Sequence, residues 1–233
     1  MRKRRIHRYV LIATIGAVCI AWSLMKGIDE TASAVQPDLA ISGQPVPSEA
    51  LPAVQYKIDA SQSRFMVKVS KDGLLSVLAH DHNIAIKDFS GVAQFTPGPI
   101  SPATLQLTIR AGSLAVTDKV SASDREKIEK TMRDEVLEVG AHPEIVFKST
   151  KIDIDKTEDG QFQAKIFGEL TLHGVTKSGL ITAMVTMNDN SLHAKGSFPL
   201  HQSQYSIKPV SAGGGTIKVK DELRFNFDIV AHP

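Results

Sequence analysis

From Gln55 onward the dominant pattern along the chain has a period of two. Phe65, Val67 and Val69 alternate with Arg64, Met66 and Lys68, and Leu105, Leu107 and Ile109 alternate with Thr104, Gln106 and Thr108. Phe162, Ala164 and Ile166 repeat the pattern, as do Leu192, Ala194 and Phe198, and then Leu223, Phe225, Phe227 and Ile229. Successive side chains of a strand point to opposite faces, so each run predicts a strand with one apolar and one wetted face. Eight or nine such strands are expected. Turn signals stand at Thr96-Pro97-Gly98-Pro99, Glu158-Asp159-Gly160 and Asn188-Asp189-Asn190.

One segment has the helical period instead. Ser123 and Glu126 have the spacing of a capping box, and Ile128, Met132 and Val136 follow at four-residue intervals on one narrow stripe. A helix with so thin an apolar face is expected to cover something rather than to build a core. The absence of strand-helix-strand alternation argues against a parallel sheet.

One-faced strands must form a two-sheet sandwich or a closed barrel, and the long alternation from Gln161 to His173 favours closure. The expected fold is all-β: an eight-stranded antiparallel barrel with one covering helix. Gly91, Ala93, Ala111, Ala164, Gly168, Ala194 and Gly196 share the inward parity. Small residues there either leave space in the lumen or relieve strand curvature.

The amino terminus stands apart from this domain. Arg2, Lys3, Arg4, Arg5 and Arg8 precede an apolar run of 16 residues, Val10 to Met25. As a helix the run spans about 24 Å, between the needs of a signal peptide and a membrane anchor. Ala32-Ser33-Ala34 supplies a small-x-small cleavage pattern, so residues 1–34 are expected to be a signal or an anchor. The basic end stays inside, which places the body outside the cytoplasm, in the periplasm. Residues 35–53, with Pro37, Pro45, Pro47 and Pro52, are expected to be a spacer before a domain at 54–231.

That segment also explains the charge. Six of the 27 basic and four of the 25 acidic residues lie in residues 1–52, leaving 21 of each in the rest. A nucleic-acid partner is therefore not expected, because the folded part has no cationic surplus to set against phosphates. The single cysteine, Cys19, falls in the apolar run, so the domain has no disulfide.

The chemical candidates are few. On a strand, His80 and His82 would share a face and could bind one metal, whereas in a turn the imidazoles and Asp81 would bond local backbone. His142, His173 and His201 could complete a metal site, but nothing in the sequence brings them together. Nucleophile elbows, phosphate loops and dinucleotide fingerprints are absent, so no enzymatic activity and no cofactor is expected. Gly213-Gly214-Gly215 precedes a strand pattern rather than a helix and is expected to be a rim loop.

The segments His142-Pro143-Glu144-Ile145-Val146-Phe147, Gly168-Glu169-Leu170-Thr171-Leu172-His173-Gly174-Val175-Thr176-Lys177, Tyr205-Ser206-Ile207-Lys208-Pro209 and Val219-Lys220-Asp221-Glu222-Leu223 together resemble the YceI-like family, as does the opening Tyr56-Lys57-Ile58-Asp59. Ser206 stands where that family commonly has glycine. The resemblance implies a lipocalin-like barrel that is exported in many members and binds an isoprenoid chain, such as a quinone or polyprenyl lipid, in its lumen as carrier or buffer. Under that reading, parity names Phe65, Val67, Phe95, Leu107, Ile109, Phe147, Ile166, Leu170, Phe198, Phe225 and Phe227 as the lining. Met132 would close one mouth, and Lys208 or Arg125 would meet a polar head group. The expected partners are an apolar lipid and, through residues 1–34 if they are retained, a membrane.

Overall fold

The structure is a computed structural model that describes residues 52–72, 81–96, 100–188, 190–212 and 216–233. The signal or anchor at 1–34, most of the spacer, His80, the turn residues 97–99, Asp189 and the loop 213–215 lie outside them. Among the described residues no helix is long and apolar enough to cross a membrane.

The chain folds into eight antiparallel staves that follow one another around a closed ring. The first three staves are each bent into two strands. β1 (Val54–Ile58) and β2 (Arg64–Asp72) form the first, β3 (His82–Ile86) and β4 (Phe89–Phe95) the second, and β5 (Ala103–Arg110) and β6 (Leu114–Val116) the third. The first bend is an Asx turn in which the Asp59 carboxylate accepts from Ser61 N at 2.9 Å and Gln62 Nε2 at 2.7 Å. β7 (Glu144–Glu158), β8 (Gln161–Leu172), β9 (Val175–Asn188), β10 (Ser191–His201) and β12 (Ile217–His232) complete the ring; β11 (Ser211–Ala212) is a short hairpin partner of β12. Closure comes from β12, which pairs with β10 on one side and with both β1 and β2 on the other. A closed ring of alternating strands has an inside and an outside, and that explains the period of two.

The turns follow their residues. Asp159-Gly160 joins β7 to β8 with Gly160 at φ +70°, and His173-Gly174 joins β8 to β9 with both residues at positive φ, 50° and 72°. Within β7, a bulge between Ser149 and Lys151 reverses the parity, so that Phe147 on one side and Ile152 and Ile154 on the other all face inward.

The helix α1 (Ala122–Thr131) continues into a wider turn, Met132–Val136, where Leu137 N donates to Met132 O at 3.0 Å. Its cap differs from the expected one. Ser121, not Ser123, accepts from Asp124 N at 3.0 Å, so the cap lies two residues earlier, and its hydroxyl rather than its backbone N–H donates to the Asp124 carboxylate at 2.7 Å. Asp supplies the returning acceptor there in place of Glu126. Ser121→Ala is expected to lower stability by about 1 kcal/mol, read from the urea midpoint at unchanged slope.

Three of the small inward residues do something other than open space. A Cβ on Gly168 would lie 2.4 Å from Phe147 Cζ, one on Gly196 2.5 Å from Phe227 Cζ, and one on Gly91 2.7 Å from Ile58 Cδ1. These glycines let a neighbouring strand's side chain lie flat on the wall.

Candidate functional site

The staves enclose a cavity of about 670 Å³ that runs along the barrel. That volume falls within the roughly 300–1,000 Å³ of small-molecule sites. All twelve residues named from parity and the helix stripe face it: Phe65, Val67, Phe95, Leu107, Ile109, Met132, Phe147, Ile166, Leu170, Phe198, Phe225 and Phe227. Phe198 and Phe225 stack at 4.9 Å between centroids, 4° from parallel, while Phe65 meets Phe89, Phe225 and Phe227 edge-on at 5.9–6.4 Å. Ile152, Ile154, Ile181 and Val185, not among the residues expected from parity, also line the cavity from β7 and β9. For β7 the cause is the bulge.

Polar groups stand mainly near the ends. The lining side chains that can carry a positive charge are His82, on β3, and Lys127, on the helix; the Tyr205 phenol also lines the cavity. His82 is committed: its Nδ1 lies 3.1 Å from Asp118 Oδ2, and Asp118 also accepts from Asn83 N at 3.0 Å and Asn83 Nδ2 at 2.9 Å. Burial pushes the Asp118 carboxyl up, but hydrogen bonds from Asn83 and His82 outweigh it and hold the group below its ordinary value. Asp81 accepts from Lys71 N at 3.1 Å on the neighbouring strand. The pairing of His82 with His80 falls outside the described residues.

Arg125, named as a head-group candidate, is engaged elsewhere. Its guanidinium donates to Val116 O at 2.7 Å and Asp118 O at 3.0 Å, fastening α1 to β6. Two of the remaining histidines do come together. His142 and His173 lie with ring centroids 4.5 Å apart, and His173 Nε2 is 3.1 Å from Glu138 Oε2. The three residues offer ligand atoms within 4.8 Å of one another. However, His173 Nδ1 is buried without a hydrogen-bond partner, which favours the tautomer with its proton on Nε2, donated to Glu138. The Glu138–His173 bond is a clasp between the helix exit and the β8–β9 turn. His201 is apart from it, 3.5 Å from Asp221.

The ladder around the wall is incomplete between β5 and β7, where pairing ends at Gln106↔Lys148, and again between β9 and β10. β9 is paired to β8 along its length, from Leu172↔Val175 to Gln161↔Thr186, but to β10 only from Ser191↔Asn188 to Gly196↔Ala183. Beyond Gly196, β10 stays with β12 as far as His201↔Glu222 and parts from β9. Five residues of β10, 197–201, therefore have no partner on that side, a slot of roughly 16 Å. Ser178, Gly179, Leu180 and Pro199 line the cavity from the two edges and are also exposed to solvent. Pro199, which has no N–H to give, fits an unpaired edge.

A 3₁₀ turn, Gln202–Tyr205, bounds the end of the slot, with Tyr205, Ile207, Leu172 and Leu200 buried together. Ser206 after it adopts φ 59°, the left-handed region where glycine is easiest. Burial pushes the Tyr205 phenol up. Gln202 Nε2 donates to Lys220 O at 2.9 Å, and Asp221 accepts from Ser203 Oγ at 2.6 Å and Ser203 N at 2.7 Å. The side-chain and backbone hydrogen bonds of Ser203 hold the Asp221 carboxyl below its ordinary value. A lowered carboxylate stabilises the fold above its unfolded value and loses that contribution as pH falls through the native one. The stability advantage of the wild type over Asp221→Asn is therefore expected to be complete above about pH 5 and to shrink progressively as the pH falls below that, read from urea titrations.

The YceI-like domain matches residues 56–231 of the chain. Burkholderia cenocepacia BcnA is similar in structure, with a TM-score of 0.57 at 17% identity over 74% of this chain and 98% of its own. A polyisoprenoid binding domain from Saccharophagus degradans, described as implicated in plant cell wall breakdown, has a TM-score of 0.55 at 14% identity, over 76% of this chain and 97% of its own. At such identities the likeness is one of fold. No curated protein matches the chain.

Proposed function

The chain belongs to the YceI-like family, and from that premise we propose that it is a non-enzymatic binding protein that holds an isoprenoid-type lipid, a quinone or polyprenyl chain, in its lumen. The observation that carries the reading is the cavity of about 670 Å³, lined mostly by aliphatic and aromatic side chains, with His82 and Lys127 as its only basic lining residues among those described. A structural neighbour described as a polyisoprenoid binding domain supports the choice of ligand.

The energetics allow it. Burying about 400 Å² of prenyl chain contributes on the order of 10 kcal/mol before the translational and ordering costs of association, enough for micromolar binding without a charged anchor. A flexible apolar chain also suits a lumen lined by aromatic and branched side chains, where shape rather than hydrogen bonding selects the occupant. We place the domain in the periplasm as a carrier or buffer, with the basic and apolar segment 1–34 as its signal or anchor.

Mass spectrometry of protein purified without detergent from membrane-containing lysate tests the ligand. A prenyl lipid near one equivalent is expected; repeatedly empty protein that also takes up no added farnesol would refute the reading. Intact mass from the same sample tells whether residues 1–34 are removed.

A further inference from the structure

We propose that the slot between β9 and β10 is a side door through which the lumen exchanges lipid with an anionic phospholipid bilayer docked against it. The inference rests on the lipid-binding reading above and adds to it the route and the partner.

Four observations converge on the slot. First, the strands stop pairing at Gly196↔Ala183, so no ladder of hydrogen bonds must break for a chain to pass. Second, the space is open: a Cβ on Gly179 would have no atom within 4 Å, although its cross-strand partner Gly168 is crowded. Third, among the described residues the large apolar side chains that stand exposed are Leu180 at 50%, Met184 at 44% and Val210 at 39%. Leu180 and Val210 line both the cavity and its outside, and Met184 continues the outer face of β9 past the head of the slot. Fourth, Lys177 stands on the β9 edge two residues before Gly179 and shares its face, so it flanks the slot from the side opposite to Leu180, and Lys208 lies two residues before Val210.

Apolar side chains at the lip of an apolar cavity, with lysines in the segments that border it, are the chemistry of an interfacial contact. The apolar groups enter the acyl boundary while the ammonium groups meet lipid phosphates. A lipid passing from bilayer to lumen at such a contact never crosses water. A mouth ringed by polar groups would instead require the chain to be hydrated on the way.

The test is transfer of dansyl-labelled farnesol from vesicles of phosphatidylcholine and phosphatidylglycerol to the protein, followed as a rate against vesicle concentration. Exchange by contact gives a rate that rises with vesicle concentration and with phosphatidylglycerol content; exchange through water gives one that does not. The wild type is expected to show the first behaviour. The double variant Leu180→Asp, Val210→Asp is expected to transfer at least tenfold more slowly and to lose the dependence on vesicle concentration. Thr186→Asp, on the outer face of the same strand but away from the slot, serves as the control for added charge and is expected to behave as the wild type, with melting temperatures verifying that all three are folded. If the wild type binds farnesol from solution but its transfer rate is independent of vesicles, or if the double variant transfers as fast as the wild type, the side door is wrong while the lipid reading stands. If the wild type takes up no probe by either route, both fall.

Discussion

Filling the lumen with hydrocarbon is expected to abolish lipid binding while leaving the barrel as stable as before. Ala194 and Leu107 both face the cavity, Ala194 opposite Val185 and Ile229 and Leu107 opposite Gly91 and Phe147. A phenyl group at either position displaces on the order of 100 Å² of prenyl contact. At about 25 cal/mol per Å² that is about 2.5 kcal/mol, approaching 100-fold in affinity, and the two together should put binding beyond measurement. Phenylalanine is preferred to tryptophan because the cross-strand neighbours of both positions have no side-chain acceptor for a buried indole N–H.

The stability readout separates two pictures of the interior. In a close-packed barrel, adding so many carbons would force side chains off their rotamers at a cost of about 1–3 kcal/mol per site. In a barrel with an open lumen the rings fill space and remove apolar wall from contact with water, so the melting temperature should hold or rise. Loss of farnesol binding at an unchanged or raised melting temperature is the expected pair of results. A fall of several degrees from each substitution would mean that the interior is filled by protein alone.

Those substitutions can be chosen because a closed one-layer barrel writes its interior into the sequence as parity. Each stave is wetted on one face only, so Phe65 and Val67, or Phe225 and Phe227, declare their side without knowledge of their neighbours. The readings that failed depend on relations between segments. The bulge near Thr150 reverses the face of β7, and nothing in the local alternation of Ile152 and Ile154 says which face is inside. Ser121 and Ser123 are both acceptable caps, and the choice between them turns on where the chain leaves β6. The clasp of Glu138 with His173 joins residues 35 apart in sequence. The slot is the clearest case, since a missing ladder between β9 and β10 leaves both patterns intact. Pro199 in the middle of an otherwise regular strand was the one signal, because proline within a strand belongs at an unpaired edge.

The glycines of the same wall make the second prediction, and here the register supplies its own control. Gly168 on β8 and Gly179 on β9 are directly opposite one another. By propensity alone each should gain from alanine, since glycine weakens a strand interior. Their surroundings separate them. A methyl group on Gly168 would sit 2.4 Å from Phe147 Cζ and 2.5 Å from Lys148 O, whereas one on Gly179 would meet nothing within 4 Å. The ring could swing away into the lumen, but the carbonyl is held in the β7 ladder and can move only with its strand. Gly168→Ala is therefore expected to destabilise the barrel by about 3 kcal/mol, at the upper end of overpacking effects, and to lower the melting temperature by roughly 6–12 °C. Gly179→Ala should lie within about 0.5 kcal/mol of the wild type. Adding Phe147→Leu to Gly168→Ala should recover only part of the loss, because it removes the ring and leaves the carbonyl. Equal melting temperatures for the two alanine variants would show that the wall around Phe147 is as open as the slot, and the contrast between a packed wall and an open lip would then fail.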